Sequence, residues 1–270
     1  MTETSGPRTT NATRTGDLPH AADLPRTGDL AGSAHSTGAL ASSRPATKRR
    51  PEWLAPAGLI ALSLVPIGAG AFRLTDLAFG TTVTSENARF FDSPIPVIVH
   101  IVGSVVFLVL GALQFAPSLR RHRWHRIAGR IVAPAGLLSA ASALWMTLLS
   151  DLPANNGVAL MVLRLGFGTA MAASIVVAFL AIRRGDVRTH SAWMTRAYAI
   201  GIGAGTQVFT FLPWTLVFGV PGEAVHAVLM GAGWVINLAV AEVVIRRRAR
   251  RTPRSSRTSG RSAAASAHLS

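Results

Sequence analysis

Six apolar stretches, joined by short polar segments, dominate the central part of this chain. Each is close to the roughly 20 residues that a helix needs to cross about 30 Å of hydrocarbon. The pattern predicts an all-α, polytopic membrane protein, a bundle of six transmembrane helices that occupies residues 51–246. The predicted spans are 54–78, 95–116, 127–149, 158–182, 197–219 and 223–245.

Arginine alternates between rich and poor connections along this pattern. Basic clusters precede the first stretch, follow the sixth, and separate the second from the third and the fourth from the fifth. The other three connections contain one basic residue, Arg89. Because an excess of Lys and Arg marks cytoplasmic loops, we expect both termini in the cytoplasm of a multi-pass protein of the bacterial cell membrane.

The two ends of the chain have no apolar period. Residues 1–50 are rich in Thr, Ser, Gly, Ala and Pro, and the unit Arg-Thr-Gly-Asp-Leu occurs at 14–18 and 26–30 without an evident role. Residues 247–270 form a second polar, basic segment. Such composition buries too little apolar surface to offset the entropy of ordering, so we expect disordered cytoplasmic tails.

Charge and cysteine content narrow the possible functions. The formal charge of +15 lies in the predicted cytoplasmic loops and tails, so contact with the anionic headgroups of the bilayer accounts for it and nucleic-acid binding is not expected. The absence of cysteine excludes disulfides, thiolate metal sites and cysteine nucleophiles. Protein partners stay open.

Polar residues within the spans fall into stripes on single helix faces. Such residues are costly in lipid, so they usually face the bundle interior and mark function. At 100° per residue, each set below shares one face, which predicts a common polar interior that includes Gln114, Gln207 and Asn237. The sets are His100, Ser104, Gly111 and Gln114 in the second span, Arg196, Gly203, Gln207, Thr210 and Trp214 in the fifth, and His226, Met230, Gly233 and Asn237 in the sixth. Arg164, and Arg73 with Asp76, are expected to reach the interface or to form local ion pairs.

Histidines occur in two layers, which suits two b-type haems, each held by two imidazoles. His100 and His226 would bind an outer haem, and His190 with His125 or His122 an inner one. The chain would then carry electrons across the bilayer.

Other interpretations of the same residues stay open. The histidines could instead hydrogen-bond between helices or contact headgroups, and the polar stripes also fit a small-solute or lipid permease or a non-catalytic membrane subunit. No His-Glu-x-x-His motif occurs, and no carboxylate lies in the middle of a span. We therefore predict no catalytic residue and no metal apart from haem iron. Enzymatic activity stays open, although these residues favour a role without it.

Two stretches near the cytoplasmic border resemble a known family. The sequence HIVGSVVFLVLGALQF, with LRRHRWHRIAGR after it, and the later THSAWMTRAYAIGIGAGTQ are similar to bacterial predicted membrane proteins of the domain of unknown function 2306. The resemblance covers about residues 55–245 and implies a multi-span membrane protein without implying an activity. The matching positions are His100, Gly111, Gln114, Phe115, His125, Arg126, Gly129, Arg130, His190, Trp193, Met194 and Arg196.

The motif residues also predict a basic cluster at the inner mouths of the third and fifth helices. Arg126 and Arg130 are four apart on one helix face, and Arg196 lies on the fifth span. Guanidinium groups suit bidentate contacts with a haem propionate, a lipid phosphate or an anionic metabolite. Orientation in the membrane and contact with headgroups explain the same residues equally well.

Overall fold

The computed structural model describes residues 53–80, 82–84, 87–120, 123–151 and 156–251, all in the second of two units of the chain, Lys48–Ser270. The described residues form helices and connections without any strand, which confirms the all-α prediction. Residues 1–50, with the pentapeptide repeat, and most of the predicted tail 247–270 lie outside this part. The last helix continues to Arg251, so the start of that tail is helical.

Among the described residues, five helices are long and apolar enough to cross a membrane, and these residues contain a sixth span if two shorter helices count as one. Those two are α7 and α8, which meet at a bend of 40°. Two short helices, α2 and α4, lie in connections and were not predicted. The helices are α1 Leu54–Phe79, α2 Ala88–Asp92, α3 Pro94–Leu113, α4 Pro117–Arg120, α5 Arg123–Leu149, α6 Val158–Arg183, α7 Val187–Gly201, α8 Gly203–Phe218 and α9 Glu223–Arg251.

The fifth predicted span differs most from its prediction. The apolar pattern predicts one helix over 197–219, whereas the structure has a helix that begins at Val187, breaks at Ile202 and resumes. A Cβ atom on Gly201 would lie 2.7 Å from the ring of Phe107, and one on Gly203 would collide with the ring of Trp234. Glycine lets aromatic rings approach the backbone here, and glycine-containing sites are common places for sharp helix bends.

Helix α3 is the most enclosed of the five and packs on α1, α5 and α7. Of its most apolar window, 39% is buried inside the protein, compared with 11% for α1, which therefore lies at the periphery. Large apolar side chains such as Phe72, Leu148 and Phe209 are exposed. An exposed apolar surface of this extent marks an interaction site, and on long apolar helices the partner is the lipid.

The bundle has two ends that differ in charge. We call the end with the connections 80–87, 150–157 and 219–222 the arginine-poor end. The arginine-rich end carries the start of α5, the α6–α7 connection and the end of α9. The described arginines that mark it include Arg126, Arg130, Arg183, Arg184, Arg188, Arg246 and Arg247.

The half of the bundle nearer the arginine-rich end is filled by three aromatic rings, which we call the aromatic core. The ring of Tyr198 lies between Phe107 and Phe115, with centroids 5.7 and 5.1 Å away. The hydroxyl of Tyr198 donates a hydrogen bond to the Leu108 carbonyl at 2.9 Å. Gly111 leaves room for this ring, because a Cβ there would lie 2.7 Å from it.

Candidate ligand-binding cavity

A cavity of about 370 Å³ lies among α3, α5, α6, α8 and α9. Arg89, Ser150 and Asn156, from the connections at the arginine-poor end, contribute to its lining. The deepest lining residues include Ile200 and Gly201 at the α7–α8 break. The volume is within the roughly 300–1,000 Å³ that is usual for small-molecule sites. The cavity therefore runs from the arginine-poor end to the middle of the bundle.

Apolar side chains form much of the cavity wall. Phe167 of α6 stacks on Trp234 of α9, with ring centroids 4.8 Å apart, and both rings line the cavity. Met171 and Met230 line it as well. Aromatic and thioether side chains favour an apolar portion in any ligand that enters.

Arg164 is the cation deepest along a span in this cavity. It lies six residues into α6, about 9 Å along the helix axis, and it is half-buried. Within the described chain it forms no ion pair, and its electrostatic neighbours are Arg89 and His226. A charge held in a span without a protein counter-ion is costly, so the position favours a bound anion.

The carboxylates that the structure describes near the arginine-poor end are not part of the cavity lining. Asp76 is paired with Arg73 of the same helix, with 3.0 Å between Nη1 and Oδ2, as the local ion pair expected from the sequence. Glu223 packs against Gly157 and has no ion pair among the residues that the structure describes. The cavity lining is therefore basic and neutral, without an acidic side chain in its described part.

The short helix α2 places Arg89 in the cavity lining. The neighbouring Phe90 ring has the guanidinium of Arg73 4.1 Å from its centroid and that of Arg89 at 4.6 Å. Cation–π contacts of this kind are worth about 0.5–1 kcal/mol at exposed sites. Phe90 thus links α1 to the segment that carries Arg89.

His100 forms part of the wall on α3, and its ring orientation is fixed by α5. Its Nδ1 lies 2.9 Å from the Ser139 carbonyl oxygen and 3.5 Å from the Ser142 hydroxyl. Because a carbonyl only accepts, Nδ1 carries the hydrogen, and Nε2 of the neutral ring is an acceptor. The Ser104 and Ser139 hydroxyls bond to each other at 2.7 Å beside the ring.

The polar stripes predicted for the fifth and sixth spans face each other across α8 and α9. Gln207 lines the cavity, and its Nε2 donates to the Met230 carbonyl at 3.1 Å. The Thr206 hydroxyl donates to Oδ1 of Asn237 at 2.8 Å, and Thr210 donates to the Leu229 carbonyl. These bonds tie α8 to α9 and leave Oε1 of Gln207 as an acceptor at the cavity wall.

The histidines proposed for an outer haem do not share the cavity lining. His100 lines it, whereas His226 packs edge-on against Phe211, with centroids 5.1 Å apart, and is not among the lining residues. Nδ1 of His226 is buried without a hydrogen-bond partner in the described chain. No group of three or more metal-binding side chains occurs among the residues that the structure describes. Haem binding stays a prediction.

The predicted site residues at the arginine-rich end mostly bond to the protein itself. Nδ1 of His190 lies 3.0 Å from the Ala178 carbonyl, and Nε2 of Gln114 donates to the His125 carbonyl at 3.4 Å. Arg196 donates to Glu242 at 2.6 Å and stacks on Trp193. Arg196 thus joins α7 to α9, whereas Arg126 and Arg130 are exposed. His122 lies outside the described residues.

Neither Arg164 nor Arg89 is predicted from the sequence to belong to a site. Arg164 was expected to snorkel or to pair locally, yet its side chain lines a cavity. One signal could have shown this: Arg73 has an acidic residue three positions on, whereas Arg164 has only apolar residues and glycine three and four positions away on its helix. An arginine within an apolar run and without a local partner requires one from elsewhere.

Comparison with known protein families identifies a match over the helical bundle. The model of a family described as Predicted membrane protein (DUF2306) matches residues 97–245, more than half of the chain. This match covers α3 to α9 except their outermost residues, and so nearly all of the cavity lining. No curated protein and no solved structure matches the chain.

Proposed function

The chain belongs to this family of predicted membrane proteins, and we propose that it acts as a small-solute permease whose cavity binds an organic anion. The observation that supports this proposal is Arg164, a cation within a span that lines a cavity and has no carboxylate partner in the described chain. A carboxylate or phosphate of the ligand would supply the missing charge, and planar guanidinium suits both groups.

The shape of the bundle favours transport over simple binding. The cavity reaches the arginine-poor end, while the aromatic core fills the bundle beyond the α7–α8 break. Carriers that expose their site to one side at a time have this form in one of their states, and broken helices commonly form their sites. The break at Ile202 provides such a helix beside the cavity.

We further propose six spans, with α7 and α8 as one, and both termini in the cytoplasm. The excess of arginine at one end supports this orientation, with Arg126 and Arg130 against anionic headgroups of a cell membrane. The natural chain has no cysteine, so Asp151→Cys and Val187→Cys each introduce a single thiol. In intact cells a membrane-impermeant maleimide should label the first variant alone, and the reverse pattern would invert the topology.

The binding proposal is tested with protein in lipid nanodiscs. Probes are benzoate and hexanoate, with the neutral benzamide and hexanamide as counterparts, and the readout is the rise in Tm with concentration. We expect at least one anion to stabilise the protein and its amide not to do so. Arg164→Gln should abolish the effect and Arg164→Lys should retain part of it.

Arg183→Gln is the matched control, because this residue lies at the other end of the same helix, outside the cavity. Equal stabilisation of the wild type and Arg164→Gln, or none by any anion, would overturn the proposal. Uptake of the labelled anion into proteoliposomes, dependent on Arg164, then tests transport itself.

Haem b is the second candidate, and one observation favours it. Nδ1 of both His100 and His190 lies against a backbone carbonyl, which is how metal-bound histidines are commonly oriented with Nε2 toward the metal. Protein from haem-replete cells should then have a Soret band that His100→Ala removes. Colourless, folded protein would exclude this candidate.

A further inference from the structure

The cavity presents hydrogen-bond acceptors as well as cations, and this determines what else its ligand must carry. We propose that the ligand is a hydroxylated organic anion, whose acidic group lies at Arg164 and whose hydroxyl donates to Nε2 of His100. The inference rests on the proposed function and adds a second contact, at His100, to the ion pair between the ligand and Arg164.

The hydrogen on His100 is placed by its surroundings. The Ser139 carbonyl, 2.9 Å from Nδ1, can only accept, so the neutral ring is protonated at Nδ1 and bare at Nε2. Both hydrogen-bond contacts of this ring with the described chain, to Ser139 and Ser142, are made through Nδ1. Nε2 is therefore the atom with which His100 meets a ligand, and it meets it as an acceptor.

The ring is held firmly enough to discriminate between ligands. Ser142 donates to the Ser139 and Leu138 carbonyls and lies 3.5 Å from Nδ1, while Ser104 and Ser139 bond beside it. A ligand that covers a fixed acceptor without offering it a donor binds more weakly, because the acceptor is left unpaired. The oxygen Oε1 of Gln207 supplies a second acceptor further along the cavity.

A neutral hydroxyl fits this site better than an ammonium group. The guanidinium groups of Arg89 and Arg164 line the same cavity, and its described part contains no carboxylate that would hold a cation. Like charges in a low-dielectric site repel strongly. The cavity should therefore favour hydroxy acids over amino acids of similar size.

The test compares affinities within matched series, in nanodiscs, for the full-length protein. The probes are benzoate, 3- and 4-hydroxybenzoate, 3-methoxybenzoate and 3-(aminomethyl)benzoate, with hexanoate and 6-hydroxyhexanoate as an aliphatic pair. We expect a hydroxylated anion to bind roughly tenfold tighter than its parent, the change that one net hydrogen bond produces. The methoxy and aminomethyl probes should gain nothing over benzoate.

Two variants test whether Nε2 of His100 causes the preference for hydroxylated anions. His100→Phe keeps a ring of similar size without the acceptor, so the ratio of affinities should fall to about one while binding still requires Arg164. His226→Phe, at the same end but outside the lining, should keep the wild-type ratio. Should His100→Phe fail to fold, the wild-type ratios still decide, because equal affinities for the hydroxylated and parent anions already contradict the inference.

The possible failures are distinguishable. Equal, Arg164-dependent binding of hydroxylated and parent anions overturns the hydroxyl contact and leaves the proposed function in place. A hydroxyl preference that persists in His100→Phe overturns the role of His100. Absence of binding by every anion overturns the inference together with the proposed function.

Discussion

The two halves of the bundle differ in whether their polar and aromatic groups have partners inside the protein. In the aromatic core, the hydroxyl of Tyr198 reaches a carbonyl of α3 and its ring is enclosed by Phe107 and Phe115. In the cavity half, the rings of Phe167 and Trp234 border open space, and Arg164 has no counter-ion in the described chain. A group whose partner is inside the protein builds the fold, whereas a group whose partner is missing indicates a ligand.

The largest expected effect is on the free energy of unfolding, when one phenylalanine ring is removed from each half. Phe107 is 1% exposed, so Phe107→Ala should lower the free energy of unfolding by about 3–5 kcal/mol, because it opens a cavity in a filled region. Phe167→Ala only enlarges an existing space and should cost less, about 2 kcal/mol. Unfolding in mixed micelles, followed by tryptophan fluorescence, measures both.

Similar losses for the two phenylalanine variants would contradict the comparison. They would mean that the cavity half is as tightly packed as the aromatic core.

A smaller effect, with a change of sign, is expected for glycines. Gly111→Ala places a methyl group 2.7 Å from the enclosed Tyr198 ring and should destabilise by about 1–3 kcal/mol. Gly168→Ala, at the cavity, meets the end of the Leu144 side chain, with Cδ2 at 2.9 Å and Cγ at 3.2 Å. That side chain can move, so the gain in helix propensity, up to about 1 kcal/mol, should dominate. The same unfolding titration applies, and destabilisation by both would show that the cavity walls cannot adjust.

The smallest effect concerns pH and the α6–α7 connection at the arginine-rich end. Hydrogen bonds from Thr189, first from its side chain and then from its backbone amide, lower the pKa of Asp186, which caps α7. A carboxyl with a depressed pKa stabilises the fold above its ordinary value of 3.8, and this contribution is lost as pH falls through the lower folded-state pKa. The protection factor of the Thr189 amide, its intrinsic exchange rate divided by the observed one, should therefore fall at acid pH.

Asp186→Ser provides the control for this pH effect, since serine caps a helix without titrating. Exchange at Thr189 in that variant should lose the dependence on this carboxyl. An equal fall of the protection factor in both proteins would contradict the assignment to Asp186.

The spans could be predicted because apolar length is a property of the chain alone. The observed helices α1, α3, α5 and α6 begin and end within a few residues of their predictions. The break at Ile202 could not be located in this way, since the glycines around it are compatible with a continuous helix or a bend. Only the positions of the Phe107 and Trp234 rings, brought from other helices, decide between them.

The candidate site was predictable only in part, for a related reason. The polar stripes identified His100 and Gln207, because helical periodicity shows which face a residue shares. They could not show that Arg164 and Arg89 approach the same space, which depends on how α2 and α6 are placed. The helix of Arg164 shows only that no local partner is present, whereas the assembled bundle determines whether another helix supplies one.

The broken span also has a consequence for how the chain enters the membrane. Helices α7 and α8 contain 15 and 16 residues, about 23 and 24 Å, so neither alone crosses about 30 Å of hydrocarbon. The tight turn at Gly185 joins α7 to α6, which favours their insertion as a hairpin. Arg196 would then lie in the bilayer without its carboxylate partner until Glu242, 46 residues later, is synthesised and inserted. A nascent chain that stops before α9 should thus display an unpaired intramembrane arginine, a feature by which cellular quality control could recognise it as incomplete.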